Sequence, residues 1–276
     1  MKYLLLNLQL LWALCAYSQY QWQIQNSGTT ASLRSVYFAN ENTGWAVGSG
    51  GTILSTANGG QVWTVQNSGT TSDLYSVWFF DANKGFALGA SAFLKTTNGG
   101  LIWTSVTAPF TGGAAMWFTS QQVGYVKTSS DVYKTTDGGA SWTLNAAGIY
   151  TMFGNIHFSD AQNGWIVCPG YYTSDGGSTW QSGSIPAMCD AMRWVWFTSP
   201  TTGYVVDGSV DGTDCGGKFW KTTTGGMSWT QLQTGLFQYL NCVRFVDASR
   251  GWVCGRNGNI AATSDAGSTW VAYNTI

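Results

Sequence analysis

A carboxylate set among small polar residues recurs in this sequence at a fixed distance before a tryptophan. Two nearly identical copies are Thr173–Trp180, which reads TSDGGSTW, and Thr263–Trp270, which reads TSDAGSTW. An exposed aspartate of this kind could serve as a general acid or base. Looser copies end at four other tryptophans: Trp63, Trp103, Trp142 and Trp229. A residue that recurs in every copy is explained by turn chemistry, so we predict no catalytic residues in these boxes.

The acidic position of the box varies along the chain. Its occupants are, in chain order, Asn58, Asn98, Asp137, Asp175, Thr224 and Asp265. Asparagine keeps an oxygen that accepts hydrogen bonds from nearby backbone amides, and threonine does so more weakly. We therefore predict that these side chains lock a turn. The box tryptophans, including Trp180 and Trp270, are predicted to open the next strand and to fill the space between repeats.

A second group of oxygen ligands lies in an insertion in the fifth repeat. Asp207, Ser209 and Asp211 are followed by a glycine and match the first half of a calcium-binding loop. The twelfth position of the loop is Lys218, where a calcium loop has a bidentate glutamate. The segment is therefore either a calcium site or a polar surface insertion, and we expect no other cofactor.

The first 18 residues have the pattern of a secretory signal peptide. Lys2 is followed by a largely apolar stretch, Leu4–Ala16, and by a small-residue cleavage site that ends at Ser18. We predict residues 1–18 as a signal peptide and export to the periplasm, the cell surface or the extracellular space. No later apolar run reaches the roughly 18 residues that span a bilayer, so we predict no transmembrane segment after cleavage.

The cysteines are disulfide candidates if the protein is exported. Cys242 and Cys254 flank a predicted hairpin and would lie opposite each other on neighbouring strands, so we predict a disulfide between them. The alternative, a zinc site, would need a Cys-x-x-Cys spacing or several histidines, whereas the chain has only His157. That histidine lies in the middle of a predicted strand, where packing explains it better than catalysis.

Composition favours many short strands joined by glycine turns. The chain has 36 glycines, 4 prolines and 15% aromatic residues, and only 9% of its residues are charged. Long helices do not fit that profile. The formal net charge is −1. A nucleic-acid-binding protein would need a basic patch, and none is present, so we predict no nucleic acid partner.

The boxes belong to a longer repeat of about 40 residues. Each repeat has a strand that ends in phenylalanine, such as Ser35–Phe38, then a strand that starts with glycine and an aromatic residue, such as Gly44–Val47. A third strand enters the box and a fourth starts at the tryptophan. Four strands per repeat predict an all-β propeller over residues 19–276. Six complete sets predict six blades, and the extra tryptophan Trp22 leaves seven blades as the alternative.

The box resembles the Asp-box, or bacterial neuraminidase repeat. The fuller pattern of the first repeat is similar to the propeller family of photosystem II stability and assembly factors. It runs from Gly44–Gly48 through Gly51–Leu54 and Asn58–Gly60 to Trp63. The resemblance covers residues 22 to 270. It implies seven blades, a role in docking partner proteins, and box turns on the face opposite the usual binding loops.

That opposite face collects the loops before each first strand and after each second strand. We predict the partner-binding residues there. They are Arg34, Asp73, Tyr75, Phe110, Tyr150, Asp190, Arg193, Trp194, Tyr239 and Arg256. Aromatic side chains mixed with a few arginines are typical of protein or glycan recognition.

Two functions fit these observations. The first is an exported, non-catalytic propeller that binds protein partners or acts as an assembly scaffold. The alternative is a sialidase-like or other carbohydrate-active or glycan-binding propeller. A resemblance to sialidases would imply a Tyr–Glu nucleophile pair, but the only glutamate, Glu41, lies in a predicted turn on the box side. We therefore favour the scaffold, with a protein or a glycan as partner, and we expect a monomer.

Overall fold

The structure is a computed structural model that describes residues 22–150, 154–167, 170–183, 192–207, 218–232 and 240–273. The predicted signal peptide, residues 1–18, lies outside this part of the chain. Four predicted site residues also lie outside it: Asp190, Ser209, Asp211 and Tyr239. Arg193 and Asp207 are described only through the backbone of their strands.

The described residues form 24 strands in six antiparallel sheets of four, each in chain order. The predicted all-β propeller with six blades is therefore confirmed. Blade A contains β1 (Leu33–Phe38), β2 (Gly44–Gly48), β3 (Ile53–Thr56) and β4 (Thr64–Gln66). Blade B contains β5 (Leu74–Phe79), β6 (Gly85–Gly89), β7 (Phe93–Thr96) and β8 (Thr104–Ser105). Blade C contains β9 (Ala115–Phe118), β10 (Gly124–Lys127), β11 (Val132–Thr135) and β12 (Thr143–Ala146).

The second half of the chain repeats this plan. Blade D contains β13 (Ile156–Phe158), β14 (Gly164–Ile166), β15 (Tyr171–Thr173) and β16 (Gln181–Ser182). Blade E contains β17 (Met192–Phe197), β18 (Gly203–Asp207), β19 (Phe219–Thr222) and β20 (Thr230–Leu232). Blade F contains β21 (Leu240–Phe245), β22 (Gly251–Gly255), β23 (Ile260–Thr263) and β24 (Val271–Tyr273). In this described part, no helix is long and apolar enough to cross a membrane.

The glycine that opens each second strand is required by packing within the blade. In blade A, a Cβ atom on Gly44 would lie 2.6 Å from the ring of Phe38, and the same close approach recurs between Gly85 and Phe79. The phenylalanine that ends the first strand therefore lies flat over the glycine beside it. This contact explains why the repeat has a terminal phenylalanine in its first strand and a leading glycine in its second.

Neighbouring blades are joined by stacked rings. The aromatic residue after that glycine stacks on the first-strand phenylalanine of the next blade. Trp45 lies 3.4 Å from Phe79 with an interplanar angle of 5°. Four further stacks follow along the chain, namely Phe86–Phe118, Tyr125–Phe158, Trp165–Phe197 and Tyr204–Phe245. Each of the five interfaces from blade A to blade F is therefore built on one stacked pair of rings.

Polar atoms of these rings are paired with the box turn of the next blade. Trp45 Nε1 donates to the carbonyl of Gly99 at 3.0 Å. Tyr125 uses its hydroxyl instead, at 2.6 Å from the carbonyl of Gly176, and Lys134 Nζ donates to the same oxygen at 2.7 Å. The same pair recurs between blades E and F, where the Tyr204 hydroxyl and Lys221 Nζ both donate to the carbonyl of Ala266. In both cases a tyrosine in the second strand is accompanied by a lysine in the third.

One side chain from each first strand fills the axis of the propeller. These residues are Tyr37, Trp78, Trp117, His157, Trp196 and Arg244. The His157 ring lies 4.4 Å from Trp117 and 4.5 Å from Trp196. Burial, and secondarily the charge of Arg244, lower the pKa of His157 to about 3. The single histidine is therefore a neutral packing residue at the axis.

The orphan Trp22 lies beside the last blade. Its ring meets that of Tyr273 edge-on at a centroid distance of 6.3 Å. Residues 22–27 are assigned to no strand, so this segment has not joined β24 as a fifth strand.

Cys242 and Cys254 are direct partners across β21 and β22, as the hairpin prediction required. Both are thiols, so the predicted disulfide is absent from the structure. The two sulfurs share a hydrogen bond in place of a covalent bond. That bond, together with burial, raises the pKa of the Cys242 thiol.

Candidate partner-binding face

The two ends of the propeller carry different loops. At one end, each box turn contacts the turn between the first and second strands, as where the Gly59 amide donates to the Asn42 carbonyl at 2.9 Å. We call this end the box face, and Glu41 lies in one of its turns. At the other end, which we call the loop face, the segment before β1 meets the turn after β2. The Ser49 amide there donates to the Ser32 carbonyl at 3.0 Å.

In each box turn, one polar side chain accepts hydrogen bonds from its neighbours. Asp175 Oδ1 accepts the Thr173 hydroxyl at 2.7 Å and the Thr179 amide at 2.9 Å, while Oδ2 accepts the Thr179 hydroxyl at 2.6 Å. These bonds lower the pKa of Asp175 to about 2. The carboxyl group is therefore ionised, and both of its oxygens accept hydrogen bonds within the turn.

The other boxes repeat this geometry with different side chains. Hydrogen bonds likewise lower the pKa of Asp137 and of Asp265 to about 2. Asn58 and Asn98 make the corresponding bond to the backbone amide four residues later, at 2.9 and 3.0 Å. Thr224 uses its hydroxyl for the same contact at 2.9 Å. The position thus needs an acceptor oxygen and does not need a charge.

The box tryptophans pack edge-on against the phenylalanine of their own first strand. Trp103 lies 5.9 Å from Phe79, at an interplanar angle of 89°. The remaining five pairs have centroid distances between 5.9 and 6.3 Å: Trp63–Phe38, Trp142–Phe118, Trp180–Phe158, Trp229–Phe197 and Trp270–Phe245. The boxes therefore join the outer strand of a blade to its inner strand.

Three of the residues predicted for partner binding meet on the loop face. Arg34 Nη2 lies 3.7 Å from Asp73 Oδ2, and its guanidinium lies over the Tyr75 ring at 5.3 Å. Asp73 Oδ1 also accepts the Gly50 amide at 2.9 Å. The side chains of Arg34 and Asp73 stay 48% and 38% exposed. We call Arg34, Asp73 and Tyr75 the Arg34 patch.

Irregularities in the first strands position this patch. The register of β1 with β2 shifts between Leu33 and Ser35, so Arg34 occupies a bulge. Tyr75 occupies the same place in blade B. Bulges re-aim the side chain of the extra residue. The same shift falls at residue 193 in blade E and at Asn241 in blade F. Asn241 was missed in the sequence because a bulge depends on strand register, which the repeat pattern does not reveal.

The other predicted partner-face residues have different surroundings. Tyr150 and Arg256 are exposed. Phe110 is half-buried against Phe93 at 5.6 Å and Tyr133 at 4.8 Å. Trp194 is half-buried in the cluster between blades E and F. Phe110 and Trp194 therefore contribute mainly to packing between blades. A large aromatic ring buries more apolar area when it packs against neighbouring rings than when it faces solvent.

Carboxylates are the remaining candidates for chemistry on the loop face. Asp131 is the other loop-face aspartate whose side chain is described, and it accepts the Ser130 hydroxyl at 2.6 Å and the Gly148 amide at 3.2 Å. No three metal-ligating side chains come together in the described ranges. Of the calcium candidates, only the backbone of Asp207 is described, at the end of β18.

Residues 14–148, just under half of the chain, match the family model described as photosynthesis system II assembly factor YCF48. The family resemblance is confirmed. It lies in the half of the chain that contains blades A to C and the Arg34 patch. A comparison of the sequence with curated proteins finds no match.

Solved structures share the fold at low sequence identity. YCF48 bound to D1 peptide is 20% identical with a TM-score of 0.74, over 92% of this chain and 85% of that one. YCF48 from Cyanidioschyzon merolae is 18% identical with a TM-score of 0.72, over 92% and 88%. A GH74 enzyme from Niastella koreensis is 17% identical with a TM-score of 0.73, over 88% of this chain but only 45% of the enzyme. At such identities these likenesses concern the fold alone.

Proposed function

We propose that this chain is an exported, non-catalytic propeller that binds a peptide segment of a partner protein on its loop face. The observation that carries the proposal is the Arg34 patch. There the Arg34 side chain remains 48% exposed, while a carboxylate and an aromatic ring lie beside its guanidinium group. A cation that is already positioned loses little side-chain entropy when a partner arrives. Arginine and tyrosine are also among the residues that dominate binding energies at interfaces.

The kind of partner is suggested by a relative. The similar YCF48 protein is bound to a D1 peptide. For this chain we propose a peptide segment whose carbonyl or carboxylate oxygens accept hydrogen bonds from Arg34. Arginine suits that role because its planar group presents several donors. Apolar side chains of the same segment would contact Tyr75.

A catalytic role is not proposed, because the recurring carboxylates serve the turns. Asp137, Asp175 and Asp265 have lowered pKa values and accept several hydrogen bonds each. A general acid in glycoside hydrolysis needs the opposite, a raised pKa.

The binding proposal can be tested with peptides displayed on phage and selected against the full chain. We expect Arg34→Ala to weaken the best binders at least tenfold, because truncating a hot spot costs about 2 kcal/mol or more. Arg250→Ala is the matched control: this arginine lies on the box face and is paired with Asp247 at 2.6 Å. Equal losses in the two variants, or no selected peptide, would contradict the proposal. Turnover of xyloglucan or a sialoside that Asp73→Asn abolishes would replace it with a hydrolase.

Export is the second part of the proposal and rests on the pattern of residues 1–18. N-terminal sequencing of the protein recovered outside the cytoplasm is expected to begin at residue 19. Recovery of the chain only inside the cytoplasm, with residues 1–18 retained, would refute this part without affecting the peptide-binding proposal.

A further inference from the structure

Packing between blades follows one rule at five places in the described chain. A second-strand ring covers the phenylalanine that ends the first strand of the next blade. All five phenylalanines are buried, and the one in blade B, Phe79, is only 1% exposed. The same face of β5 also buries Val77, which is 4% exposed. A covered first strand therefore leaves almost no apolar surface in water.

The first strand of blade A breaks this rule. Val36 is 52% exposed and Phe38 is 41% exposed, although they occupy the positions of Val77 and Phe79. Leu33, at the position of the fully buried Leu74, is 41% exposed. The face of blade A that points away from blade B thus carries the apolar residues of a blade interface without the blade that would cover them.

The last blade has a matching uncovered face. Cys254 is exposed, whereas its counterparts are fully buried at 0% in four other blades: Val47, Leu88, Val167 and Val206. First strands of successive blades pack along each other from β1 to β21. In the described ranges, β21 and β1 make no comparably extended contact. We call the space bordered by Leu33, Val36, Phe38 and Cys254 the A–F cleft.

The outer edge of this cleft already holds one strand-like segment. Gln25 Nε2 donates to the Gly59 carbonyl at 3.3 Å, as Gln66 Nε2 donates to the Gly99 carbonyl at 2.9 Å. Gln66 belongs to β4, the outermost strand of the blade before blade B. Gln25 therefore takes the place of the outermost strand of a blade before blade A. Residues 22–27 have no strand partner, so their backbone can pair with another strand.

We propose that the A–F cleft is a docking surface for an antiparallel β-sheet of a partner protein. The sheet would place an aromatic side chain on Phe38 and bury Val36 and Leu33. One of its edges would pair with residues 22–27, which is β-strand addition. The occupant is thus a blade-like sheet with an apolar face and an aromatic residue on its second strand.

Continuity with the existing interfaces is the argument for this occupant. Blade A has an apolar residue at Val36 and a phenylalanine at Phe38, and both types recur at these positions in the five blades that receive a neighbour's ring. A patch of this composition favours an apolar sheet over a charged ligand or a glycan. The surface is separate from the Arg34 patch, because Arg34 points toward Tyr75 of blade B. The proposal therefore does not depend on peptide binding there.

The test measures how fast the Cys254 thiol is alkylated, because that rate depends on whether the A–F cleft is occupied. The full chain is extended by a flexible linker and a second copy of residues 67–99, which contain β5, β6 and β7 of blade B but not β8, because residues 22–27 supply the fourth strand. Alkylation of Cys254 by iodoacetamide under reducing conditions is followed by mass spectrometry of that site. We expect rapid labelling of the unextended chain and labelling about tenfold or more slower in the extended one, because a covered thiol reacts only after local opening.

Variants show where the added sheet docks. Val36→Asp in the extended chain should restore rapid labelling, and Val65→Asp, at a valine that is 65% exposed on the outer strand β4, should not. Slow labelling of Cys254 in the unextended monomer would mean that blade A closes on blade F, and it would overturn the proposal. Slow labelling only in a concentration-dependent dimer would assign the cleft to a second copy. Equally fast labelling with and without the added sheet would also refute docking.

Discussion

Two phenylalanines at the same repeat position offer a direct test of how the blades are stabilised. Phe79 ends the first strand of blade B, and Phe38 ends that of blade A. Phe79 is stacked under Trp45 and is 1% exposed, whereas Phe38 is 41% exposed. The two residues make the same contact with their own blade, because each lies over the leading glycine of its second strand. They differ in whether a ring of the preceding blade covers them.

The expected cost of Phe79→Ala is about 3–5 kcal/mol of unfolding free energy, which includes the cavity left beneath Trp45. Phe38→Ala removes only about six-tenths of a buried side chain and leaves no closed cavity. Since full burial of phenylalanine contributes roughly 1.5–3 kcal/mol, the expected cost is about 1–2 kcal/mol. Phe79→Ala should therefore cost about 1–4 kcal/mol more than Phe38→Ala.

Urea unfolding followed by circular dichroism and tryptophan fluorescence measures this difference. The comparison requires that both variants keep the m-value of the natural protein. Equal costs near 4 kcal/mol would refute the reasoning, because they would mean that Phe38 is covered in solution. In the extended chain with the added sheet, the cost of Phe38→Ala should rise toward that of Phe79→Ala.

Three further predictions concern charge and polar packing. The lowered pKa values of Asp137, Asp175 and Asp265 stabilise the fold above about pH 4, and this contribution is lost as the pH falls toward 2. Thermal melts should show a smaller acid loss when all three are asparagine, and an unchanged loss would contradict the role of the box turns. The pKa of buried His157 is lowered to about 3, so the neutral ring stabilises the fold above pH 6.5 and this stability falls as the pH drops from 6.5 toward 3. His157→Phe should flatten that part of the stability profile; a variant with the same slope would show that the histidine is not its source. Asn155 exchanges two hydrogen bonds, of 3.1 and 2.8 Å, with one backbone residue of β17, so Asn155→Leu should cost about 1–3 kcal/mol in urea unfolding, and a neutral effect would rule out a structural role for this pair.

Much of the fold could be read from local patterns. A repeat of about 40 residues with a glycine-aromatic strand and a box predicts blades, because each blade is a local unit whose strands are joined by short turns. The role of the box also follows from the sequence. Asparagine and threonine replace aspartate there, and only an acceptor oxygen is common to all three. The opposed position of Cys242 and Cys254 was predictable from a hairpin, but their oxidation state was not, because register sets proximity and not redox chemistry.

The tertiary structure alone decided which surfaces remain available. Arg34 and Tyr75 lie about 40 residues apart in the sequence, and they meet because bulges in two first strands aim them at the same place. Phe110 and Trp194 look like surface aromatics in their loops but pack between blades. Phe38 and Phe79 are indistinguishable in the repeat pattern, yet only one is covered. Burial depends on what lies against a face, and that is a property of the assembled ring of blades, not of any single repeat.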